Sequence, residues 1–335
     1  MSIARLKVIA AGPLVSFQDA GRPGLMRYGV PASGPMDRFA FDAAHAMLGN
    51  LQGGTSIEVS LGGLVLECIE GAVSVAVAGG SFRIGLNGAV SEGWMVHSLT
   101  QGARISINGG AWGSWCYLAF AGDVAAPEWL SSKATHTLSG LGGGAVQSGD
   151  IITIDDASLR PGRNGLYDVP DIAHPDGVGR VVIGPQDARF VDGTTDLLCE
   201  TPYRVTDAYN RMGMRLDGPT LELGDALSIP SEPIVRGSIQ VAGDGVPTLL
   251  LADHQTTGGY PKIATMISAD VDRATQLRAG EPLKFQAVSA TEAVAITRAH
   301  ADARKAALDT LAAPRQTLVE KLREANLISG AVAEK

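Results

Sequence analysis

Short apolar runs, each closed by a turn residue, dominate the first 160 residues of the chain. The clearest are LVLECIE, AVSVAVAGG, SFRIGLNGA, RISINGG, WCYLAFAG and DIITIDD. Runs of this kind, bounded by glycine or asparagine, are typical of strands in a barrel or a sandwich. The pattern therefore predicts a β-barrel-like domain over residues 1–160.

One helix interrupts these strands. The segment GPMDRFAFDAAHAMLGN places its apolar residues near helical spacing, and Gly49 and Asn50 are suited to end the helix. The apolar positions are Met36, Phe39, Ala40, Ala43, Ala44 and Met47. A helix packed on the sheet is the simplest interpretation of this spacing.

The β pattern resumes after a stretch rich in proline, glycine and aspartate. Residues 161–178 show no periodicity and are predicted to be a linker. Residues 179–289 are predicted to form a second all-β domain, a small barrel. Its expected strands are GRVVIGP, PYRVTDA, PTLELGDALSIP, GSIQVAG, PTLLLAD and LKFQAVS.

The pattern changes to helical after residue 289. ATEAVAITRAHADARKAALDTLAA is rich in alanine and places Val294, Ala301 and Leu308 seven residues apart. Pro314 fits the first turn of a further helix carrying Leu318 and Leu322. Residues 290–335 are therefore predicted to be a helical tail that packs on the barrel or on a partner.

Composition narrows the possible functions. Glycine supplies 42 of the 335 residues, which favours many turns and short strands, and the net charge of −8 argues against a nucleic-acid partner. The three cysteines lie far apart and the six histidines show no ligand spacing, so neither a disulfide framework nor a metal site is expected. No stretch is long enough to cross a membrane, and a reducing cytoplasm is the expected location.

Polar residues concentrate in three glycine-containing segments. The first, SFQDAGRPGLMRYGVPASGPMDRFA, holds several functional groups in a proline-stiffened loop, which suggests groups kept in place for binding. Its candidate binding residues are Gln18, Asp19, Arg22 and Asp37, accompanied by Arg27, Ser33 and Arg38. A turn in which Asp19 and Arg22 only satisfy the local backbone is the alternative, and for this segment taken alone it is favoured.

The second segment is YNRMGMRLDGP. Arg211 and Arg215 flank Gly213 and could bind a carboxylate or a phosphate through two parallel hydrogen bonds. Surface ion pairs with Asp207 and Asp217 are the alternative, and for an isolated motif they are favoured.

In the third segment, LLLADHQTTGGYPKIATMISAD, an apolar strand is followed directly by several polar residues. Asp253 could handle a proton, while backbone N–H groups and Lys262 could neutralise a phosphate or an oxyanion. The Walker A spacing is absent. The other candidate residues are Gln255, Thr256, Thr257, Gly258, Gly259 and Tyr260.

Several motifs occur together in one order: VSFQDAGRPG, GVPASGPMDRFA, LGN before IEVSLGG, NRMGMRLDGP, GSIQVAGDG and LLADHQTTGGYPKIATMISAD. With them the chain resembles the family of the 5-oxoprolinase C-subunit, also called allophanate hydrolase subunit 2 or the biotin-dependent carboxyltransferase family. The resemblance covers about residues 5–289. It implies a mainly β fold of two cyclophilin-like β-barrel domains, here followed by the helical extension.

The resemblance also implies partners and a reaction. Members work with a cyclophilin-like B-subunit, and in the oxoprolinase branch the A-, B- and C-subunits together open 5-oxoproline to L-glutamate with ATP. In the carboxyltransferase branch a related domain moves CO₂ from carboxybiotin to urea; this chain lacks an A-M-K-M attachment motif, so biotin would arrive on a separate carrier. A third possibility is a regulatory protein that binds a kinase inhibitor resembling the B-subunit.

Residue roles follow from the same resemblance. Asn50 is expected to hydrogen-bond the substrate amide, and Asp253 to orient or deprotonate its nitrogen. A second reactant or developing negative charge is expected on Gln255, Tyr260 and Lys262, with Gln18, Asp19, Arg22 and Asp37 as the opposite wall. The chain departs from the family at His254 and Lys133, where members usually carry arginine. The first and third segments are thus predicted to converge on one cavity.

Overall fold

The computed structural model describes residues 2–224 and 228–314, and most of its regular structure is β. Thirteen strands precede residue 168: β1 (Ile3–Ala11), β2 (Ser16–Gln18), β3 (Ser56–Ser60), β4 (Leu64–Glu70), β5 (Ala72–Ala78), β6 (Arg83–Leu86), β7 (Ala89–Glu92), β8 (Trp94–Thr100), β9 (Arg104–Asn108), β10 (Trp115–Phe120), β11 (Asp123–Ala125), β12 (Ile151–Asp155) and β13 (Gly165–Tyr167).

The strands that follow are β14 (Val178–Ile183), β15 (Tyr203–Tyr209), β16 (Gly213–Asp217), β17 (Glu232–Pro233), β18 (Ser238–Val241), β19 (Pro247–Leu250), β20 (Thr257–Gly258), β21 (Lys262–Met266) and β22 (Pro282–Ala287). The described α-helices are α1 (Arg38–Leu48), α2 (Thr194–Glu200), α3 (Ser268–Ala274) and α4 (Ala290–Ala312). Short 3₁₀ turns lie at Met26–Tyr28, Pro161–Arg163, Asp171–Ala173 and Asp187–Arg189.

The first thirteen strands form two sheets that share one core. Their orders are β11-β12-β1-β4-β9-β6-β7 and β13-β8-β5-β10-β3-β2. Leu6 and Leu66 on the first sheet and Val75 and Leu118 on the second belong to the same buried cluster. We call this part of the chain the two-sheet unit.

The later strands form a closed barrel with the order β14-β21-β18-β19-β16-β15-β22. β14 and β22 run parallel, whereas the other neighbours in the barrel are antiparallel. Its core includes Val181, Leu216, Ile239 and Phe285. The predicted mainly β class, with a barrel and a C-terminal helix, is confirmed.

One predicted strand is wrong. In PTLELGDALSIP the described residues 219–224 and 228–230 contain no strand, and Leu223 makes only an isolated bridge to Phe190. Residues 161–178, predicted to be a linker, contribute β13, which pairs with β8 at the edge of the second sheet. The domain bounds given by the sequence stay predictions.

Helix α1 follows the predicted pattern closely. The side chain of Asp37 caps its start by accepting a hydrogen bond from the Ala40 N–H at 2.9 Å. Gly49 ends it with φ of +67°, a left-handed conformation that favours glycine. Its apolar face, with Phe41 and Met47, is buried against β5 and β10.

Helix α4 begins with a capping box between Ser289 and Glu292 and packs mainly on α1. Leu308 is buried in this contact, whereas Val294, predicted to share its face, is 49% exposed. None of the described helices combines the length and apolarity needed to cross a membrane. The predicted second tail helix with Leu318 and Leu322 lies outside the described residues.

Leu308→Ala is expected to destabilise the protein by about 2–4 kcal/mol, because it leaves a cavity between α4 and α1. Val294→Ala on the same helix is the matched control and should change the free energy of unfolding by less than about 0.5 kcal/mol. Urea denaturation followed by circular dichroism measures both. Equal effects would show that α4 is not anchored through Leu308.

Candidate functional site

A buried arginine joins the barrel to the two-sheet unit. Arg211 donates from Nε and Nη2 to the carboxylate of Asp253 at 3.0 and 2.9 Å, and from Nη1 to Glu58 on β3. Its side chain is 1% exposed and both carboxylates are 0% exposed. We call Arg211, Asp253 and Glu58 the Arg211 network. In it, a buried cation on the barrel side pairs with one anion of its own unit and one of the two-sheet unit.

The charges of the Arg211 network support one another. Burial alone would lower the pKa of Arg211, but Asp253 and Glu58 raise it above its usual value. Burial would likewise raise the pKa of Asp253, but Arg211 and Thr137 hold it below the usual range. Both groups are therefore charged at neutral pH.

The loop between β2 and α1 is held by this network. The carbonyl of Gly34 accepts from Arg211 Nη2 at 2.7 Å, and the Met36 N–H donates to Glu58 at 2.8 Å. Arg236, just before β18, donates to the carbonyls of Pro35, at 3.0 Å, and Met36. Residues 34–36 are thus fixed by side chains from both units.

Asp253 does not have the position that the sequence predicted for a proton-transfer group. Its carboxylate accepts two bonds from Arg211 and two from Thr137, at 3.0 Å from the N–H and 2.8 Å from the hydroxyl. A fully buried carboxylate with a lowered pKa and four donors is a poor base. The catalytic role of Asp253 and the binding role of Arg211 stay predictions, while in the structure the two side chains hold each other.

Asp37 is also occupied by protein groups. Besides capping α1, its carboxylate accepts from Gln276 Nε2 at 2.7 Å, and its own N–H donates to Tyr117 at 2.8 Å. Burial raises the pKa of Asp37 to about 7. Asp37 is 3% exposed, and the substrate contact predicted for it stays a prediction.

A cavity of about 270 Å³ lies where the first predicted segment meets the third. We call it the interface cavity. The residues that line it are Met26, Ala32, Ser33, Arg38, Val235, Arg236, Ala252, His254, Ser268 and Val271. The Pro-rich N-terminal segment and the end of the apolar strand at residues 249–252 therefore do meet around a cavity. The Thr-Gly-Gly-Tyr residues are not among the residues that line it.

The predicted catalytic residue Asn50 lies elsewhere. Its Nδ2 donates to the carbonyl of Phe120 at 2.8 Å and contacts His45 Nδ1 at 3.1 Å, and His45 Nε2 contacts Ser56 Oγ at 2.8 Å. Because the amide nitrogen only donates, His45 Nδ1 accepts and Nε2 carries the proton. Burial lowers the pKa of His45 to about 4. The hydrogen bonds of Asn50 and His45 fix the chain at the end of α1.

Three more predicted binding residues hold loops of the two-sheet unit. Gln18 Nε2 donates to Ser16 and to the carbonyl of Thr135, and Asp19 accepts from Gly21, Ser132 and Lys133. Arg22 donates to the carbonyls of Trp129 and Ala134 and stacks on the Trp129 ring at 4.8 Å. Asp19 therefore makes one local contact, with Gly21, and two long-range contacts, and Arg22 is not among its partners.

The Thr-Gly-Gly-Tyr loop lies on the barrel beside a second cavity of about 340 Å³, which we call the barrel cavity. Gln255 and Tyr260 line it together with Asn210, Met212, Arg215, Gln240 and others. Thr257 and Gly258 form β20, which pairs with β17, and the Thr256 carbonyl accepts from the Ile234 N–H at 3.1 Å. The sequence predicts this loop and Asp253 in one site; the structure separates them.

Lys262 and the two glycines of this loop are enclosed. Lys262 is 3% exposed, with Nζ 3.4 Å from the Pro233 carbonyl and 3.6 Å from Glu232. A Cβ at Gly258 would lie 2.4 Å from Ile234 Cδ1, and the Gly259 carbonyl accepts from the Ile229 N–H at 2.8 Å. Close packing accounts for the glycine at Gly258, and the anion contacts predicted for this loop stay a prediction.

Sequence reasoning missed several residues that organise the interface. Glu58, Tyr117, Arg236 and Gln276 are not among the predicted site residues. A glutamate inside the apolar strand IEVS is a sequence signal that could have found the first of them, since charged residues are rarely buried unless paired. His254 stands out in the sequence only as a departure from the family.

Comparison with known proteins agrees with this architecture. The family model described as carboxyltransferase domain, subdomain A and B, matches residues 28–287. The chain is 33% identical over 289 residues to a 5-oxoprolinase C-subunit of Haemophilus influenzae, covering 84% of this chain and 91% of that protein.

Two relatives are much longer proteins. A putative urea carboxylase of Emericella nidulans is 32% identical over 310 residues, which is 86% of this chain but 24% of that protein. The crystal structure of the Kluyveromyces lactis urea carboxylase has the same fold, with a TM-score of 0.79 and 23% identity, covering 96% of this chain and 30% of that one. The chain thus corresponds to about a quarter of these larger proteins.

Asp253→Ala is expected to destabilise the protein by about 3–5 kcal/mol, because it leaves Arg211 buried without its bidentate partner. The control is Asp244→Ala, which removes a half-exposed ion pair with Arg215 and should cost less than about 1 kcal/mol. Guanidinium denaturation measures both variants. Wild-type stability in Asp253→Ala would contradict the positioning role.

Acid is expected to destabilise the protein through His45. The unfolded state binds a proton between pH 6.5 and about pH 4 that the folded state does not, so this contribution is complete above pH 6.5 and is lost as the pH falls. The shift corresponds to about 3 kcal/mol. His45→Gln should flatten the pH dependence of unfolding in this range, whereas the exposed control His174→Gln should retain it; an unchanged profile in His45→Gln would refute the assignment.

Proposed function

The chain belongs to the family described as carboxyltransferase domain, subdomain A and B, and from this membership we propose that it is the C-subunit of a 5-oxoprolinase-type complex. The match in length supports this choice: the chain covers 91% of an oxoprolinase C-subunit but 24% of a urea carboxylase. The name of the relative implies a multi-subunit enzyme. A B-subunit with a cyclophilin-like fold is the proposed partner, with the A-subunit as a further component.

The observation that carries the proposal is the charge of the interface cavity. Arg38 and Arg236 line it, and none of the described residues that line it is acidic. Arg236 pairs with Asp272 at 3.2 Å, so Arg38 supplies the uncompensated charge. A cationic cavity attracts a small acid more than it attracts uncharged urea. 5-Oxoproline is such an acid, with a carboxylate beside the lactam N–H.

The size of the interface cavity limits what it can hold. At about 270 Å³ it is smaller than the pockets of about 300–1,000 Å³ that enclose drug-sized ligands. A five-membered lactam fits this size and a nucleotide does not. ATP would therefore bind outside the interface cavity.

The proposed contribution of this chain is to bind and orient the lactam. Ring opening breaks the amide C–N bond as water adds its hydroxyl to the carbonyl carbon, and the other proton of that water passes to the ring nitrogen. His254 lines the interface cavity, and burial lowers its pKa, which keeps its ring neutral near pH 7. A neutral imidazole at this wall can hydrogen-bond the ring nitrogen without repelling the arginines.

Carboxyl transfer to urea is the alternative, supported by the 32% identity to the urea carboxylase relative. In that case carboxybiotin would arrive on a separate carrier, and the substrate would be uncharged. The location in the cytoplasm would be the same under both hypotheses.

An activity assay of the reconstituted complex tests the proposal. The chain combined with its A- and B-subunit partners should form glutamate from 5-oxoproline only when ATP is present, with equimolar phosphate release. Urea in place of 5-oxoproline should release no phosphate. Turnover of urea, or of neither compound, would refute the proposed function.

Two cavity-filling variants locate the reaction. Ala32→Phe places a ring in the interface cavity and should reduce glutamate formation at least tenfold, whereas Ala208→Phe places the same ring in the barrel cavity and should leave it within twofold of wild type. Thermal unfolding of both variants controls for folding. The reverse pattern would assign the reaction to the barrel cavity.

A further inference from the structure

The barrel cavity lies apart from the interface cavity and carries a different set of groups. Its floor is the outer face of β16, β18 and β19, where Arg215, Thr248 and Gln240 pair across the strands. The residues that alternate with them, such as Met214 and Leu249, lie in the barrel core. The cavity is therefore built on the barrel alone, and its groups are not used in the proposed reaction.

A glycine shapes the floor of the barrel cavity. A Cβ at Gly213 would lie 3.0 Å from Thr248 Cγ2 and 3.1 Å from the Leu249 carbonyl oxygen, which is closer than ordinary van der Waals contact. Met212 precedes this glycine and Leu250 is its cross-strand partner, and both line the cavity. The missing side chain thus leaves an apolar floor against which a flat ring can lie.

Two glutamines form a directed chain of amides at one wall. Gln255 Nε2 donates to Gln240 Oε1 at 3.3 Å, and Gln240 Nε2 donates to the carbonyl of Tyr260 at 3.2 Å. Gly258 allows this arrangement, since a Cβ there would lie 2.8 Å from Gln240 Nε2. Both ends of the Gln240 amide are used, whereas Gln255 Oε1 accepts from none of the described residues. This wall therefore offers a ligand one oriented acceptor.

Asn210 supplies a donor from the turn between β15 and β16. Its Oδ1 accepts from the N–H groups of Met212, at 2.8 Å, and Gly213, at 3.4 Å, which fixes the end of the amide that faces the backbone. Its Nδ2 donates to none of the residues that the structure describes. A ligand with a hydrogen-bond acceptor beside an N–H group can therefore use Asn210 and Gln255 together.

The lining of the barrel cavity has no uncompensated charge. Arg215 is the charged member of the described lining, and its Nη2 donates to Asp244. The two side chains are 42% and 47% exposed. Because this cation is already paired, unlike Arg38 at the interface cavity, a neutral ligand is favoured over an acid or a phosphate ester.

Tyr260 adds an aromatic face at the edge of the cavity. Its side chain is 46% exposed, and its backbone is held by the bond from Gln240 and by the following Pro261. Proteins bind heterocyclic bases by stacking them on aromatic rings and by hydrogen-bonding their edges, often with asparagine or glutamine. The barrel cavity combines these two elements with an apolar floor.

We propose that the barrel cavity binds a purine nucleoside. The base stacks between Tyr260 and the floor at Gly213. Asn210 Nδ2 donates to a ring acceptor, and Gln255 Oε1 accepts from the adjacent N–H. A volume of about 340 Å³ holds one nucleoside but no oligonucleotide, in agreement with the net charge of −8. This site goes beyond the proposed function and does not depend on it.

Isothermal titration of the full chain with nucleosides tests the inference. Adenosine presents its N1 acceptor beside the N6 amino group, and inosine presents O6 beside N1–H. The tighter of the two should bind at least tenfold more tightly than purine riboside, whose ring system has no N–H. Equal binding of the three compounds, or binding of none, would overturn the inference.

Two cavity-filling variants locate the site. Ala208→Phe fills the barrel cavity and should reduce nucleoside affinity at least tenfold, whereas Ala32→Phe, in the interface cavity, should leave it within twofold of wild type. This is the reverse of the pattern expected for glutamate formation, so the same two proteins separate the nucleoside site from the proposed function. Thermal unfolding controls for folding. Nucleoside binding that survives Ala208→Phe would exclude the barrel cavity.

Asn210→Asp tests the donor without disturbing the turn. The variant keeps Oδ1, which accepts from the backbone, but replaces Nδ2 by an oxygen, and it should weaken nucleoside binding at least tenfold. Asn87→Asp is the matched control, because Asn87 Oδ1 also accepts a backbone N–H, from Arg104 at 2.9 Å, and does not line the cavity. Equal affinities of the two variants would refute the role of Asn210.

Tyr260→Ala tests the stacking. Loss of the ring should weaken nucleoside binding at least fivefold. Tyr28→Ala removes a tyrosine that is 68% exposed in the N-terminal segment, and it should leave the affinity unchanged. Wild-type affinity in Tyr260→Ala would contradict a base stacked at this edge.

Discussion

Burial of a charged arginine between two carboxylates is the constraint on which the rest of this structure depends. Arg211, Asp253 and Glu58 are almost completely removed from water, and the cost of removing a charge from water is offset only when each partner is present with good geometry. Asp253 and Arg211 belong to the barrel side, whereas Glu58 lies on β3. Separation of the two units would break the ion pair between Arg211 and Glu58. The network therefore favours the arrangement of the two units in which this pair is formed.

Several polar residues that look reactive in the sequence make contacts within the protein. Asp253, Asp37 and Asn50 look reactive in the sequence because carboxylates and amides commonly act in catalysis. In the fold each is consumed by neighbouring donors or acceptors. Arg211, Glu58 and Arg236 fix residues 34–36. This segment in turn places Ser33 and Arg38 at the interface cavity. The buried groups hold the chain in place. The groups that remain available to a ligand are fewer, and they line the interface cavity.

The groups that remain available, Arg38 and His254, line the cavity between the two units and connect the fold to the proposed chemistry. A fold of two β units leaves a small space at their contact, and the described residues that line it include two cations, a free imidazole nitrogen and no acid. Such a lining favours a small anion over a neutral amide. The charge at this wall offers a simple physical means by which the proposed substrate could be selected.

Hydrophobic periodicity determined much of this protein from the sequence alone. The β runs, helix α1 with its Gly49 terminus and the start of α4 depend on local spacing and local turn chemistry, which a sequence displays directly. The family resemblance was confirmed because its motifs are long and specific. Only the tertiary structure decided which polar residues share a site. It paired Arg211 with Asp253 and Glu58, 42 and 153 residues away, and moved the Thr-Gly-Gly-Tyr loop to another cavity. Long-range partners decide whether a charge is buried and satisfied or free to bind, and no local pattern encodes those distances.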